Sequence, residues 1–401
     1  YKTSFVKLKL QNCLLIISCM LSYPFYGQDI SLFKQYNGRY DFLFIGNTLN
    51  TIENNNIDGY PDPPCIILSN SSASLYLNPD DIIENAYLYW AGSGTGDFEV
   101  QLNNQEIVAE RTFSMYNSFG FPFFSAFANI TTFIQSTGNG NYTFSNLDLS
   151  DIISDYCPFG GNFGGWAIVV VYKNETLPLN QLNVYDGLQA VPDAIQITLD
   201  NLNVIDNKDA KIGFVAWEGD KNIAEGESLF INGNLIDNPP LNPGNNAFNG
   251  TNSFVGTDIL FNMDLDVYNI EKNISIGDTK AQIELTSNRD FVMINTIVTK
   301  LTSYFPFAIY NFVSANNDFV NDTFSIKGLR NNYPKFKIAI YNRWGTLVWT
   351  GDTNTPDWDG HANQGTLLNN SEVPTGTYYY VLNLNDPDYS KPFVGYLFLT
   401  R

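Results

Sequence analysis

Trp166-Ala-Ile-Val-Val-Val-Tyr172 is a run of seven apolar, mostly β-branched residues, set between Gly164-Gly165 and Lys173-Asn174. It is too short for an ordinary amphipathic helix, and branching at Cβ suits a pleated surface better than a helical one. It reads as a strand between turns. The same reading extends outward to Ala86-Tyr-Leu-Tyr-Trp90, Ala194-Ile-Gln-Ile-Thr-Leu199, Lys211-Ile-Gly-Phe-Val-Ala-Trp217, Ala281-Gln-Ile-Glu-Leu285 and Asp290-Phe-Val-Met-Ile-Asn295. Phe336-Lys-Ile-Ala-Ile-Tyr341 and Thr377-Tyr-Tyr-Tyr-Val-Leu382 continue the pattern. Gly, Asn, Asp and Pro separate the runs, and Leu102-Asn-Asn-Gln105 and Ile231-Asn-Gly-Asn234 have the composition of two-residue hairpin turns. Helical turns are expected only at 130–135 and 149–156. The expected fold is all-β: tandem β-sandwiches of jelly-roll or Ig-like type.

The chain has 401 residues, 44% hydrophobic and 15% charged, enough for two or three domains that each bury a core. Pro306 ends one strand-rich region, and Leu177-Pro-Leu-Asn180 marks a weaker break. The expected segments are 28–178, 179–305 and 306–401, with the first two also readable as one unit. The Asn- and Pro-rich stretch 237–252 reads as a long exposed loop.

Export is written at the N-terminus. Lys7 and Lys9 precede an apolar stretch, Leu10 to Tyr23, that is too short to span a bilayer, and Gly27 supplies a small residue before a cut. Residues 1–27 are therefore expected to be a signal peptide. The competing reading is a lipoprotein signal with lipid on Cys19. No later run is long and apolar enough for a spanning helix. Cys13 and Cys19 leave with the leader, so Cys65 and Cys157 have one connectivity open to them, the alternative being two buried thiols. A bridge there closes a loop of about 90 residues and contributes roughly 3–5 kcal/mol.

The net charge of −20 makes nucleic acid and anionic membrane surfaces poor partners. His361 is the one histidine, placed in a polar loop after Trp358-Asp-Gly360 and expected to be solvent-exposed. A Ser-His-Asp or Cys-His enzyme would depend on it, and no nucleophile motif stands near it. Catalytic zinc is disfavoured on the same ground. Gly92-Ser-Gly-Thr-Gly96 lacks the lysine and following helix of a phosphate loop. Glycoside hydrolysis needs only two carboxylates, and Asp97, Glu99, Glu110, Asp186 and Glu218 are candidates. Trp90, Trp166 and Trp217 offer faces for sugar stacking, against the commoner role of strand-borne tryptophan as core. The expectation is a non-enzymatic protein without cofactor.

The C-terminal quarter carries six ordered motifs. They are Val313-Ser-Ala-Asn-Asn-Asp-Phe-Val-Asn-Asp-Thr-Phe324, Lys337-Ile-Ala-Ile-Tyr-Asn-Arg-Trp-Gly345 with Leu347-Val-Trp349, Trp358-Asp-Gly360, Val373-Pro-Thr-Gly-Thr-Tyr378, and Lys391-Pro-Phe-Val-Gly395 running on to Arg401. Together they resemble the gliding-motility-associated C-terminal domain, the type B sorting signal of type IX secretion. The resemblance implies a seven-strand Ig-like sandwich recognised by the outer-membrane translocon after Sec export, on a protein placed at the cell surface or outer membrane. It also implies an adhesin or a component of the gliding and secretion apparatus, with associated surface proteins as partners. The residues it puts forward for sorting are Asn342, Arg343, Trp344, Gly345, Trp358, Asp359, Gly360, Pro374, Gly376, Tyr378, Gly395 and Arg401. A calcium loop is also open, with Asn316, Asp318, Asn321 and Asp322 as oxygen ligands; a hydrogen-bonded turn is the alternative. Segments 31–40, 86–92, 164–172 and 183–187 resemble uncharacterised surface β-domains that precede such signals. For residues 28–305 the second functional reading is a carbohydrate-binding module or glycan-active enzyme delivered by the same domain.

Overall fold

The computed structural model describes residues 28–54, 65–191, 193–303, 308–365, 371–386 and 389–401. Residues 1–27, read from the sequence as a leader and holding Cys13 and Cys19, and the boundary at Pro306 lie outside the described residues. Strands dominate. The described helices are Thr131–Thr137, Ile153–Tyr156, Leu329–Asn332 and one 3-10 turn, Cys157–Phe159. None is long and apolar enough to cross a membrane.

The chain divides into two compact units, one built mainly from 41–173 and 182–301, the other from 36–40, 174–181 and 302–401. In the first unit, two five-stranded sheets and two four-stranded sheets make two sandwiches. One five-stranded sheet runs Tyr40–Thr48, Gly164–Lys173, Ile82–Ser93, Pro122–Asn129, Arg111–Tyr116. Leu88, Trp90, Trp166 and Ile168 on its inner face share a core with Leu102, Tyr142 and Phe144 of the four-stranded sheet Asn70–Leu75, Gly140–Ser145, Glu99–Leu102, Gln105–Val108. The other five-stranded sheet runs Ser31–Gly38, Asn180–Ala190, Met293–Thr302, Lys211–Trp217, Met263–Asn269. Its Ile212, Phe214, Tyr268 and Ile297 pack on Ile197, Leu229, Ile231 and Ile283 of the second four-stranded sheet.

The outer faces of the two five-stranded sheets are also buried. Tyr89, Val169, Val215 and Val298 are all closed to solvent, and Ser125 Oγ meets Asn295 Oδ1 across the sheets at 2.6 Å. A strand covered on both sides cannot alternate apolar with polar, which is why Trp166–Tyr172 reads as an unbroken run. Trp90, Trp166 and Trp217 are fully buried, their indole N–H groups donating to Asp97 O, Ser71 Oγ and Asn295 Oδ1. They build core and offer no face to a sugar.

Local chemistry sets the turns. Asn103 and Asn104 both take positive φ between paired strands, as do Asn232 and Gly233, the geometry of primed hairpin turns. Cys65 and Cys157 form a disulfide spanning 92 positions. One expectation fails: Asn242 and residues 246–252 of the supposed exposed loop are buried. Polar side chains enter the interior there because they hydrogen-bond to buried carboxylates.

The second unit has a five-stranded sheet ordered Phe312–Ser314, Phe393–Thr400, Gly376–Asn383, Lys337–Tyr341, Leu347–Asp352, and a two-stranded sheet of Ala308–Ile309 with Ile326–Lys327, seven strands among the described residues. Its core gathers Val313, Phe324, Trp358, Tyr380, Leu397 and Leu399.

Candidate functional site

Two places in the molecule carry candidate functional side chains, one in each unit. In the second unit, Lys337–Tyr341 and Leu347–Asp352 are joined by a turn. Asn342 Oδ1 accepts from the N–H groups of Trp344 and Thr346 at 3.0 and 2.9 Å, and Gly345 takes φ +80°. The Asn-Arg-Trp-Gly sequence thus builds its own tip. Trp344 is 73% exposed, and the Arg343 guanidinium sits 4.5 Å from its ring. This pair is displayed and contributes little to the core. Trp358 is the opposite case: fully buried, 5.2 Å from the Tyr378 ring, its Nε1–H donating to His361 O.

Tyr378 donates its hydroxyl to Pro374 O at 2.7 Å. Arg401 donates to Gly360 O and Val373 O, tying the chain end to two turns. Asp359 Oδ1 accepts the His361 N–H, fixing that turn. Gly395 lies against the Tyr380 hydroxyl, where a Cβ would meet it at 2.3 Å, whereas a Cβ at Gly376 would meet open space. His361 is half-buried rather than freely exposed, bridged to Glu372. In the loop proposed for calcium, Asp322 accepts backbone N–H bonds from Asn316, Asn317 and Phe319, and Asp318 Oδ1 accepts from Val320. Those oxygens serve a hydrogen-bonded turn.

The first unit contains a cleft of about 280 Å³ with an aromatic wall and an acidic floor. Phe119 and Phe159, 75% and 57% exposed, stack with centroids 6.2 Å apart at its edge. Phe121 lies 5.1 Å from both Phe159 and Tyr156, and Phe123 lies 5.0 Å from Phe291. The disulfide holds this wall, since Cys157 begins the turn that carries Phe159. Glu218, Asp220 and Asp290 form the floor. All three are buried.

Behind the floor the acids continue. Asp290 Oδ2 accepts the Asp220 N–H. Glu227 accepts the Phe248 N–H, and Asp264 Oδ1 accepts those of Asn249 and Thr251, both at 2.9 Å. Asn242 and Thr251 both donate to Asp266 Oδ2. Asn262 donates to Glu218 and to Asp220. Burial, then mutual repulsion, pushes Glu218, Asp220, Glu227 and Asp264 well above the usual carboxylate range. Burial also raises Asp290 to about 7 and Asp266 to about 6.

Of the acids put forward from sequence, only Glu218 lies here. Asp186 is held by Arg111 at 3.0 and 2.6 Å and by the Tyr89 hydroxyl at 2.9 Å. Asp97 and Glu110 accept backbone N–H groups. Glu99 is exposed at a strand start. The sequence reading missed Phe119, Phe159, Asp220, Glu227, Asp264 and Asp290. Only Asp264 carries a signal in sequence, an acid every second residue in Met263-Asp-Leu-Asp-Val267 beside an Asn-rich stretch, and that alone does not separate a buried network from a solvated face.

Among solved structures, the chain is similar to a β-porphyranase of glycoside hydrolase family 86 from the human gut bacterium Bacteroides plebeius, at 11% identity and TM-score 0.23, covering 71% of this chain and 38% of that one. It is similar also to the major capsid protein P2 of bacteriophage PM2, at 11% identity and TM-score 0.19, covering 65% of this chain and 96% of that one. A third is the adhesin domain of Epf from Streptococcus pyogenes, at 11% identity and TM-score 0.15, covering 57% and 80%. The chain thus spans well under half the length of the porphyranase chain, and at these TM-scores none of the three bears on fold or function. No curated protein matches. A family model does match: the CHU_C type IX secretion signal domain, over residues 307–399, with no family found for the N-terminal part. Residues 307–399 are therefore a CHU_C type IX secretion signal domain, which marks the chain as a protein exported through type IX secretion to the cell surface or extracellular space.

Proposed function

We propose that the exported chain is a non-enzymatic surface adhesin whose first unit binds glycan in the Phe119–Phe159 cleft. One observation carries this reading: two stacked phenylalanine rings stand in solvent beside a floor of carboxylates. Exposed aromatic faces contribute nothing to the core, and a contiguous group of them marks a contact surface. A pyranose has an apolar C–H face that lies on such rings and hydroxyls that donate to carboxylates. Binding is favoured over hydrolysis because Glu218, Asp220 and Asp290 are buried within one acidic network. A glycosidase needs an acid and a second carboxylate flanking the bond it breaks.

The test is a glycan array on the intact chain, followed by titration of the best sugar against Phe119→Ala. Saturable binding is expected, with affinity falling at least about tenfold in the variant while the melting temperature holds, since the ring is exposed. Absence of any glycan binding, or equal binding by the variant, overturns the proposal and leaves protein contacts as the adhesive chemistry. Hydrolysis of the bound sugar would overturn the non-enzymatic part alone.

A further inference from the structure

The five-stranded sheet of the second unit is apolar on both faces. Tyr378, Tyr380 and Leu382 of Gly376–Asn383, with Leu397 and Leu399 of Phe393–Thr400, enter the core. The residues between them therefore point the other way. Tyr379 and Tyr396 are cross-strand partners, and Tyr341 stands opposite Tyr379 on its other side. Phe398 pairs with Phe312, their rings stacked with centroids 6.4 Å apart, and Val394 lies opposite Val381. Phe312, Tyr379, Val394, Tyr396 and Phe398 are all exposed, by 41% to 71%. Single apolar side chains are ordinary on a surface, but a contiguous block across four paired strands marks a contact.

Two properties of the block say what covers it. The first is charge. Tyr341, Tyr379, Tyr396, Phe312, Phe398 and Val394 carry none, while Lys337 and Asp352 stand opposite each other on neighbouring strands of the sheet. Such a face gives a charged partner nothing to answer. It fits another flat, uncharged face, and a second copy brings one of the same shape. Two copies with net charge −20 repel each other in general, so they meet where charge is locally missing. The second property is size. Five large side chains, each about half open, offer on the order of 500 Å² per copy. A pair of copies then buries about 1,000 Å² in total, the lower limit for a specific interface and the range of weak association.

We propose that the outer face of this sheet is the interface of a weak homodimer, two copies stacking their Tyr379–Tyr396 faces about a twofold axis. A twofold contact uses the same patch on both copies and closes, so assembly stops at two.

The experiment is sedimentation velocity on the intact chain from about 1 to about 200 µM, in low and in high salt. A dimer is expected within that range, as befits a contact this small, and it should strengthen as salt screens the repulsion between copies. Tyr379→Glu and Tyr396→Glu each place a charge at the centre of the face. Each should weaken the dimer at least about tenfold and shift the melting temperature by no more than about 2 °C, because both side chains are exposed. Should a glutamate unfold the sheet, Tyr396→Thr, a residue that suits a strand, replaces it and must weaken the dimer too. A chain that stays monomeric at the highest concentration in high salt overturns the proposal and leaves the face to a partner of other chemistry. A dimer that weakens as salt rises, that persists in the folded variants, or that grows beyond two copies overturns it as well.

Discussion

A chain lacking residues 307–401 is expected to be absent from the cell surface, and a reporter carrying residues 302–401 at its C-terminus is expected to arrive there. The matched family reaches from 307 to 399, and these residues supply nearly all of a compact unit with its own core. A transferable signal requires that independence, because the carrier must fold the same way on any cargo. Two substitutions separate fold from recognition. Trp358→Ala removes a fully buried indole from that core and should cost about 3–5 kcal/mol, so sorting fails because the domain does not hold together. Arg343 and Trp344 sit on a displayed turn whose hydrogen bonds come from Asn342, so changing both to Ala should leave the domain's stability within about 0.5 kcal/mol. Loss of surface signal in that double variant assigns the tip to translocon recognition. Immunolabelling of intact cells, with total protein measured in lysates, reads every case. Surface labelling that survives the deletion would sink the assignment of these residues as the signal.

Different parts of the molecule were legible for different reasons. Trp166–Tyr172 and Lys211–Trp217 could be found as strands because burial and β-branching act residue by residue. Asn103-Asn104 and Asn232-Gly233 could be found as turns because positive φ is a local demand. The sorting domain was readable because its turns repeat residue types at fixed spacing. The cleft was not. Phe119, Phe159, Glu218 and Asp290 come from four separate segments, and only the paired sheets bring them together. The 237–252 stretch misled for a related reason. Asn, Pro and Gly ordinarily mark solvent, yet here the Asn242 amide and the Asn249 N–H turn inward to carboxylates more than a dozen residues away, and Asn246 donates to the Lys221 carbonyl. A buried polar network leaves no periodic trace, since each donor answers to a partner and not to a face.

That network yields the second large effect. The melting temperature should fall as pH rises from about 5 to about 7. Burial lifts Asp290 to about 7 and Asp266 to about 6, against an ordinary value of 3.8. A carboxyl group raised on folding keeps its proton in the folded chain after the unfolded chain has lost it. Its stabilising contribution is complete below the unfolded value and drains away as pH climbs through the folded one. The window therefore opens near 4 and closes near 7. Of the acids facing Asp290, Glu53 pushes the same way as burial, while a hydrogen bond with Glu227 pulls Asp290 down without outweighing burial; Asp266 is pulled down by bonds from Ser253, Thr251 and Asn242, and burial again wins.

Asp41 runs opposite. Burial would raise it, but Lys211 and Lys300 outweigh burial and hold it low. Its contribution is therefore present above the unfolded value and lost only below about 4, outside the window. Each proton held by the folded chain alone costs about 1.4 kcal/mol per pH unit, so the two groups together lower the melting temperature by roughly 10 °C across the interval. Asp290→Asn, which cannot ionise, should flatten the upper half of the slope. A melting temperature that stays level or rises from pH 5 to 7 would mean that these acids ionise in the interior without penalty, and the upward shift derived from their burial would be wrong.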